Sequence, residues 1–102
     1  MRITIENSYL DAIYREVDKG KSKYDPVIKK KFRKTILVLR ALKSLAEVRK
    51  IKGLNFEALK GDFKGKYSVR VDIKYRIILR VEKDRILVED ILVIEDLTNH
   101  YQ

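Results

Sequence analysis

The chain has no cysteine, one histidine, one proline and four glycines in 102 residues. Without cysteine there is no disulfide framework of the kind found in small secreted domains, no thiolate nucleophile and no zinc finger. The lone histidine, His100, leaves carboxylates alone to build a transition-metal site, and no segment resembles an EF-hand loop or an HExxH helix. The glycines of "KGDFKGK", Gly61 and Gly65, belong to neither a GK[ST] phosphate loop nor a GxGxxG fingerprint, which argues against a nucleotide-cofactor enzyme. Long apolar runs are also missing. Residues 36–39 and 91–94 fall far short of the roughly 20 needed to span a bilayer. The opening MRITIENSYL lacks the basic and apolar regions of a signal peptide. The expectation is a cytoplasmic protein with no membrane partner, no metal and no cofactor.

Charge is abundant: 38% of residues are charged and the formal net charge is +9. A hydrophobic fraction of 45% and an aromatic fraction of 9% argue against disorder, and the length suits one domain spanning residues 1–102. The charge is uneven. Residues 19–50 hold twelve cations against two acids, whereas residues 82–97 hold six acids against two cations. A molecule with one basic side attracts a polyanion such as RNA, DNA or an acidic protein.

Hydrophobic periodicity orders the elements. Residues 2–6 suit a short strand. Asn7 or Ser8 can cap a helix reaching about Lys19, with Leu10, Ile13, Tyr14 and Val17 on one face and Gly20 as its stop. Asp25 and Pro26 open a long amphipathic helix whose stripe is Ile28, Phe32, Ile36, Leu39 and Leu42. Its cations fall mostly off that stripe, as in a solvated helical face. Ser44 and Glu47 have capping-box spacing and predict a further short helical turn. After Gly53 the period becomes two. Strands are expected from Tyr67 to Val71 and from Tyr75 to Val81, joined near residues 72–74, with a third covering residues 86–97. This order predicts an α+β fold: an N-terminal strand and two to three helices packed on one face of a small, mainly antiparallel sheet.

The other face of that sheet is where chemistry can sit. Arg70 and Arg76 occupy strand positions flanked by apolar residues, and alternation puts Arg70 with Ser68, opposite Val69 and Val71. A guanidinium presents a planar fork of donors matched to phosphate oxygens. Lys60, Lys64 and Lys66 flank the two glycines nearby, with Lys60 placed where a glycine lets the chain approach a ligand closely.

The stretch "LNFEALKGDFKGKYSVRVDIKYRIILRV", closing later in "NHYQ", resembles the HigB toxins of bacterial toxin–antitoxin pairs, within the RelE/ParE superfamily. The likeness is closest in "LKGDFKGKYSVRV" and "YRI" and extends to "GKSKYDP" before the long helix. It implies the RelE-like fold and a ribosome-dependent messenger-RNA endonuclease, held in a hetero-oligomer by an antitoxin with a helix-turn-helix domain. By resemblance, Lys60 matches a lysine implicated in catalysis, Arg76 an active-site arginine and His100 a C-terminal histidine. Where many relatives end in "DYH" this chain reads "TNHYQ", so Asn99 stands in place of a tyrosine and Tyr101 follows His100. Glu57 stands where some relatives have histidine and is a candidate proton acceptor.

The implied reaction needs no metal. A base takes the ribose 2′-hydroxyl proton, the oxygen attacks the adjacent phosphorus, and an acid protonates the departing 5′-oxygen. Imidazole is the side chain suited to that exchange near neutrality, which assigns the acid or base role to His100. Lys60 and Arg76 neutralise the phosphate, Tyr101 stacks or shares the proton, and Arg70, Lys64, Lys66, Asn99 and Glu57 line the substrate. Two other readings keep the same chain: a ParE-like gyrase poison, and a non-catalytic RNA- or ribosome-binding module whose basic helix acts by counterion release.

Overall fold

The computed structural model describes residues 1–20 and 22–100. Strand β1 (Arg2–Ile5) leads into helices α1 (Ser8–Tyr14), α2 (Pro26–Ala41) and α3 (Leu45–Lys50). Strands β2 (Glu57–Ala58), β3 (Tyr67–Arg70), β4 (Arg76–Asp84) and β5 (Glu89–Thr98) follow, in a five-stranded sheet of order β1-β5-β4-β3-β2. All neighbours are antiparallel except β1, which runs parallel to β5. A parallel pair needs a crossover connection, and the crossover here comprises the helices and the other strands. The helices cover one face, where Leu10, Ile13, Phe32, Ile36, Leu39, Val48, Ile77, Leu79, Leu92 and Ile94 are fully buried. Burying each such side chain is worth about 1.5–3 kcal/mol.

Helix α2 starts as its sequence predicts. Asp25 Oδ1 accepts from the Ile28 N–H at 3.0 Å and Pro26 takes the first helical position. Helix α3 has the Ser44 half of its capping box: Ser44 Oγ accepts from the Glu47 N–H at 3.2 Å, while Glu47 Oε1 reaches one residue further back and accepts from the Lys43 N–H at 2.6 Å.

Helix α1 is capped by Asn7, whose Oδ1 accepts from the N–H groups of Tyr9 and Leu10, both at 3.1 Å. It stops at Tyr14, well short of the expected Lys19. Glu16 adopts a left-handed φ of 58°, and Val17 is exposed. Packing against α2 sets this end. The Ile13 carbonyl accepts from the Glu16 N–H at 3.1 Å and from Arg33 Nη1 at 3.3 Å, and Lys29 pairs with Asp18 at 2.6 Å, so α2 side chains tie down this end.

The β4–β5 hairpin also departs from expectation. Strand β4 runs on to Asp84 and β5 begins at Glu89, so Ile86, Leu87 and Val88 form an exposed tip instead of a strand. Asp84 Oδ1 accepts from the N–H groups of Ile86 and Leu87 at 2.9 and 3.0 Å, which turns the chain there.

Along β5 the residues buried in the helical core are Leu92, Ile94 and Leu97, and a step of three cannot keep one face of a regular strand. A bulge resolves it. The register shifts between Ile78 and Leu79, whose partners are Asp96 and Ile94, leaving Glu95 as the extra residue. The Glu95 carbonyl accepts from Asn7 Nδ2, fixing the bulge to the end of β1.

The face away from the helices is not bare. Ile78 and Val93 lie on it and are only 1% and 4% exposed, although neither belongs to the helix-side cluster. Segment 59–66 is tied to this side of the sheet. Leu59 is buried, and Lys66 Nζ reaches Glu95 Oε1 at 2.5 Å.

Candidate active site

Strand register assembles one row on the open face. Arg76 of β4 lies opposite Arg70 of β3 on one side and Thr98 of β5 on the other. One row away on the same face, Ser68 lies between Glu57 and Ile78, and Ile78 faces Asp96. Adjacent strands are about 4.8 Å apart, so the backbone positions of Arg70, Arg76 and Thr98 lie within about 10 Å of one another.

Arg76 is 3% exposed, and its donors are directed. Nε donates to Ser68 Oγ at 2.8 Å, and Nη2 donates to the carbonyl of Asn55 and, at 3.4 Å, to that of Ser68. Asn55 adopts a left-handed φ of 43° at the end of a 3₁₀ turn spanning Lys52–Leu54, and that turn aims its carbonyl at the guanidinium. Arg70 is exposed at the end of β3. Strand β2 pairs only with Tyr67 and Ser68, so no strand pairs with the β3 edge beside Arg70, which faces Gly53 and Leu54 across a pocket.

Lys60 and Lys64 are exposed and bracket a 3₁₀ turn at Gly61–Phe63. The Lys60 carbonyl accepts from the Phe63 N–H at 3.2 Å, and the Leu59 N–H donates to the Lys66 carbonyl at 2.9 Å. Gly61 and Gly65 have φ of 63° and 91°, a left-handed conformation that favours glycine, while a Cβ at either would meet nothing within 4 Å. The turn therefore accounts for both glycines, in place of the close ligand approach expected from sequence. Register separates this segment from the arginine row. Ala58 lies level with Tyr67 and Leu79, three residues from Arg76, so the Lys60 backbone starts about 10 Å or more away along the strands.

Lys66 is engaged with Glu95. Burial alone would push the Glu95 carboxyl up, but hydrogen bonds from Lys66 and Arg80 outweigh it and hold the group below its ordinary range. Arg80 also pairs with Glu6 and Glu82, so this end of the face is an ion-pair network, in contrast to the arginine row at the other end.

Asn99 and His100 follow β5 and are exposed, and the His100 N–H donates to Thr98 Oγ1 at 2.9 Å. Tyr101 lies outside the described residues. His100 lines a pocket of about 220 Å³ with Lys23, Tyr24, Tyr75, Thr98 and Asn99. Tyr24 is buried, donates from its hydroxyl to the Leu97 carbonyl at 2.6 Å, and meets Tyr75 edge-on at 5.8 Å. Burial, with Asp96, Tyr75 and Tyr9 adding to it, pushes the Tyr24 hydroxyl up to about 12, so it stays a donor at neutral pH. Lys23, Tyr24 and Tyr75 were not singled out by sequence reasoning. Their signal was present, because they sit inside "GKSKYDP" and immediately before the arginine of "YRI".

No helix among the described residues is long and apolar enough to cross a membrane. The family described as RelE-like toxin of type II toxin-antitoxin system HigB matches residues 4–92 of this chain. A solved YoeB/ParE toxin from Agrobacterium tumefaciens is similar in fold, with a TM-score of 0.56 and 21% identity over 99% of this chain and 100% of that one. Comparison with curated protein sequences yields no significant match.

Proposed function

The chain belongs to the HigB-like family of RelE-like toxins from type II toxin–antitoxin systems, and from that premise we propose that it is a ribosome-dependent endoribonuclease acting on messenger RNA in the cytoplasm. The observation that carries the reading is the buried, directed Arg76 in a row with Arg70 and Thr98, two residues from His100.

Arg70, exposed at the end of β3, holds the scissile phosphate, while Arg76, buried beside it against Ser68 and Asn55, adds fixed positive charge, and Lys60 and Lys64, set back along the strands, extend that positive field. A base removes the 2′-hydroxyl proton as that oxygen bonds to phosphorus. The bond from phosphorus to the 5′-oxygen breaks, and an acid supplies the leaving oxygen with a proton, giving a 2′,3′-cyclic phosphate and a 5′-hydroxyl. His100 takes one of these proton-transfer roles, with Asn99 and Tyr101, its neighbours in sequence, sharing in it and Glu57 as the candidate partner acceptor. Preorganised donors at the phosphate supply the electrostatic part of catalysis. The whole chain acts as one toxin domain, and a helix-turn-helix antitoxin neutralises it in a hetero-oligomer.

Primer extension on transcripts from a translating extract tests this. The wild type is expected to give discrete cuts that require translation, and His100→Ala is expected to remove them without altering the thermal melt, since His100 is exposed. A loss of ~3 kcal/mol of transition-state stabilisation lowers the rate about a hundredfold, well within detection. Intact transcripts with wild-type protein, together with gyrase-dependent DNA breaks, would replace this reading by the gyrase-poison one.

A further inference from the structure

We infer that the flank of α2 beside the end of β3 binds a second phosphate of the RNA strand, outside the bond that is cut; this rests on the nuclease reading. A pocket of about 380 Å³ lies there, lined by Lys31, Lys34, Thr35, Val38, Leu54 and Arg70 among others. That volume falls within the roughly 300–1,000 Å³ typical of ligand sites. Its three cations take part in no ion pair among the described residues, whereas Lys29 and Arg33 on the same helix are matched by Asp18 and Glu16. Asp72 is close enough to feel the charge of Lys31, but its Oδ1 already accepts from the N–H groups of Lys74 and Tyr75 at 2.8 and 2.7 Å. A larger pocket of about 530 Å³ adjoins it across Lys34, which lines both, but that pocket also contains Glu16, which blunts its pull on an anion, so Lys31 and Arg70 are the cations particular to the smaller one.

Continuity favours RNA over an acidic protein segment as the occupant. Arg70 lines this pocket and also stands in the row with Arg76, on the stretch of β3 edge that β2 does not pair with. A strand leaving the row over that edge meets Arg70 and then Lys31 and Lys34. Val38 and Leu54 provide apolar wall for a sugar or base, and the lysines supply point charges for the phosphate.

The test is fluorescence anisotropy of the full chain with 2′-O-methyl RNA of 3 and 10 nucleotides over a range of salt. These oligonucleotides lack the attacking hydroxyl, so binding is read whether or not the protein cuts, and a failure of cleavage stays distinguishable from a failure of this site. The wild type is expected to gain affinity on lengthening. Lys31→Ala/Lys34→Ala is expected to lose most of that gain and to flatten the slope of log affinity against log salt by about 0.7, one phosphate's worth for a single strand. Lys43→Ala/Lys50→Ala removes the same charge at exposed positions outside this pocket and should keep the gain. An unchanged gain in the Lys31/Lys34 variant, an equal loss in the control, or no gain in the wild type would overturn the proposal. Tighter binding of a glutamate decapeptide, lost in the Lys31/Lys34 variant, would assign the pocket to an acidic protein instead.

Discussion

On the helical side of the sheet Phe32, Ile36, Leu39, Ile77, Leu79, Leu92 and Ile94 are buried against one another, and no single one of them defines the layer. On the opposite side the buried set is Leu59, Ile78 and Val93 together with Ser68 and Arg76. There a few specific polar links hold the layer, Lys66 to Glu95 tying down segment 59–66 and Arg76 to Ser68 and Asn55 at the other end. Non-directional packing tolerates loss of a contact by repacking, whereas a directed polar link has no substitute. The difference separates what keeps the chain folded from what keeps the candidate site in shape.

Substitutions on the two sides should therefore dissociate stability from toxicity, most widely for Phe32 and Arg76. Phe32→Ala is expected to cost about 3–5 kcal/mol in urea denaturation, the usual range for emptying a fully buried aromatic position. Arg76→Ala should cost about 1–3 kcal/mol, because Ser68 Oγ and the Asn55 carbonyl lose their donor. It should also abolish growth inhibition. Arg76→Lys separates the two effects: it keeps the charge but not the fork that spans Ser68 and Asn55. We expect a folded protein with at least a tenfold slower cut, about 1.4 kcal/mol in the barrier. If Arg76→Ala proved as damaging to the fold as Phe32→Ala, the arginine would be a core strut first and the contrast between faces would fail.

The same contrast explains what could be read in advance. The helical side is periodic, so Asp25–Pro26, the Ile28 to Leu39 stripe and the Ser44–Glu47 box were legible, as were the α+β order and the alternating strands. Even the Glu95 bulge has a trace in the uneven spacing of Leu92, Ile94 and Leu97. The open face depends on residues far apart in sequence. Two-residue β2 is too short for periodicity, and the burial of Arg76 runs against the general exposure of arginine. On the helical side too, the Lys23–Tyr24–Tyr75 wall beside His100 exists only once 50 residues of chain have folded back. Propensity misled at residues 86–88, where β-branched and aliphatic residues suggest strand but Asp84 makes a turn.

Glu95 tests the polar closure itself. Its carboxyl is held below an ordinary value of 4.5, so the stability it contributes is fully present above that pH and is lost as pH falls through the lower folded value. Glu95→Gln should cost about 1–2 kcal/mol near neutrality, discounted because Lys66 and Arg80 are each about a third exposed to solvent. The gap to wild type should close in acid. Hydrogen exchange locates the effect: the amides of Leu59 and Lys66 should speed up before those of β4 and β5 facing the helices. Equal acceleration on both sides would mean that the two layers open as one unit.

The smallest effect belongs to a residue on neither face. Val88 closes the hairpin tip with a left-handed φ of 51° while 78% exposed, an unfavourable conformation for a β-branched side chain that packing does little to offset. Val88→Gly or Val88→Asn should stabilise the protein by about 1 kcal/mol. For a chain of this length that raises the melting temperature by roughly 4–8 °C. Ile86→Asn, at a tip position that is 90% exposed without a positive φ, controls for loss of exposed apolar surface and should leave the melt unchanged. Because the tip lies beyond the pairing of Asp84 with Glu89, the gain should appear in the melt alone, with transcript cleavage unaltered. A stabilised Val88→Gly protein that lost toxicity would show that the tip, and not only the open face, takes part in what the toxin engages.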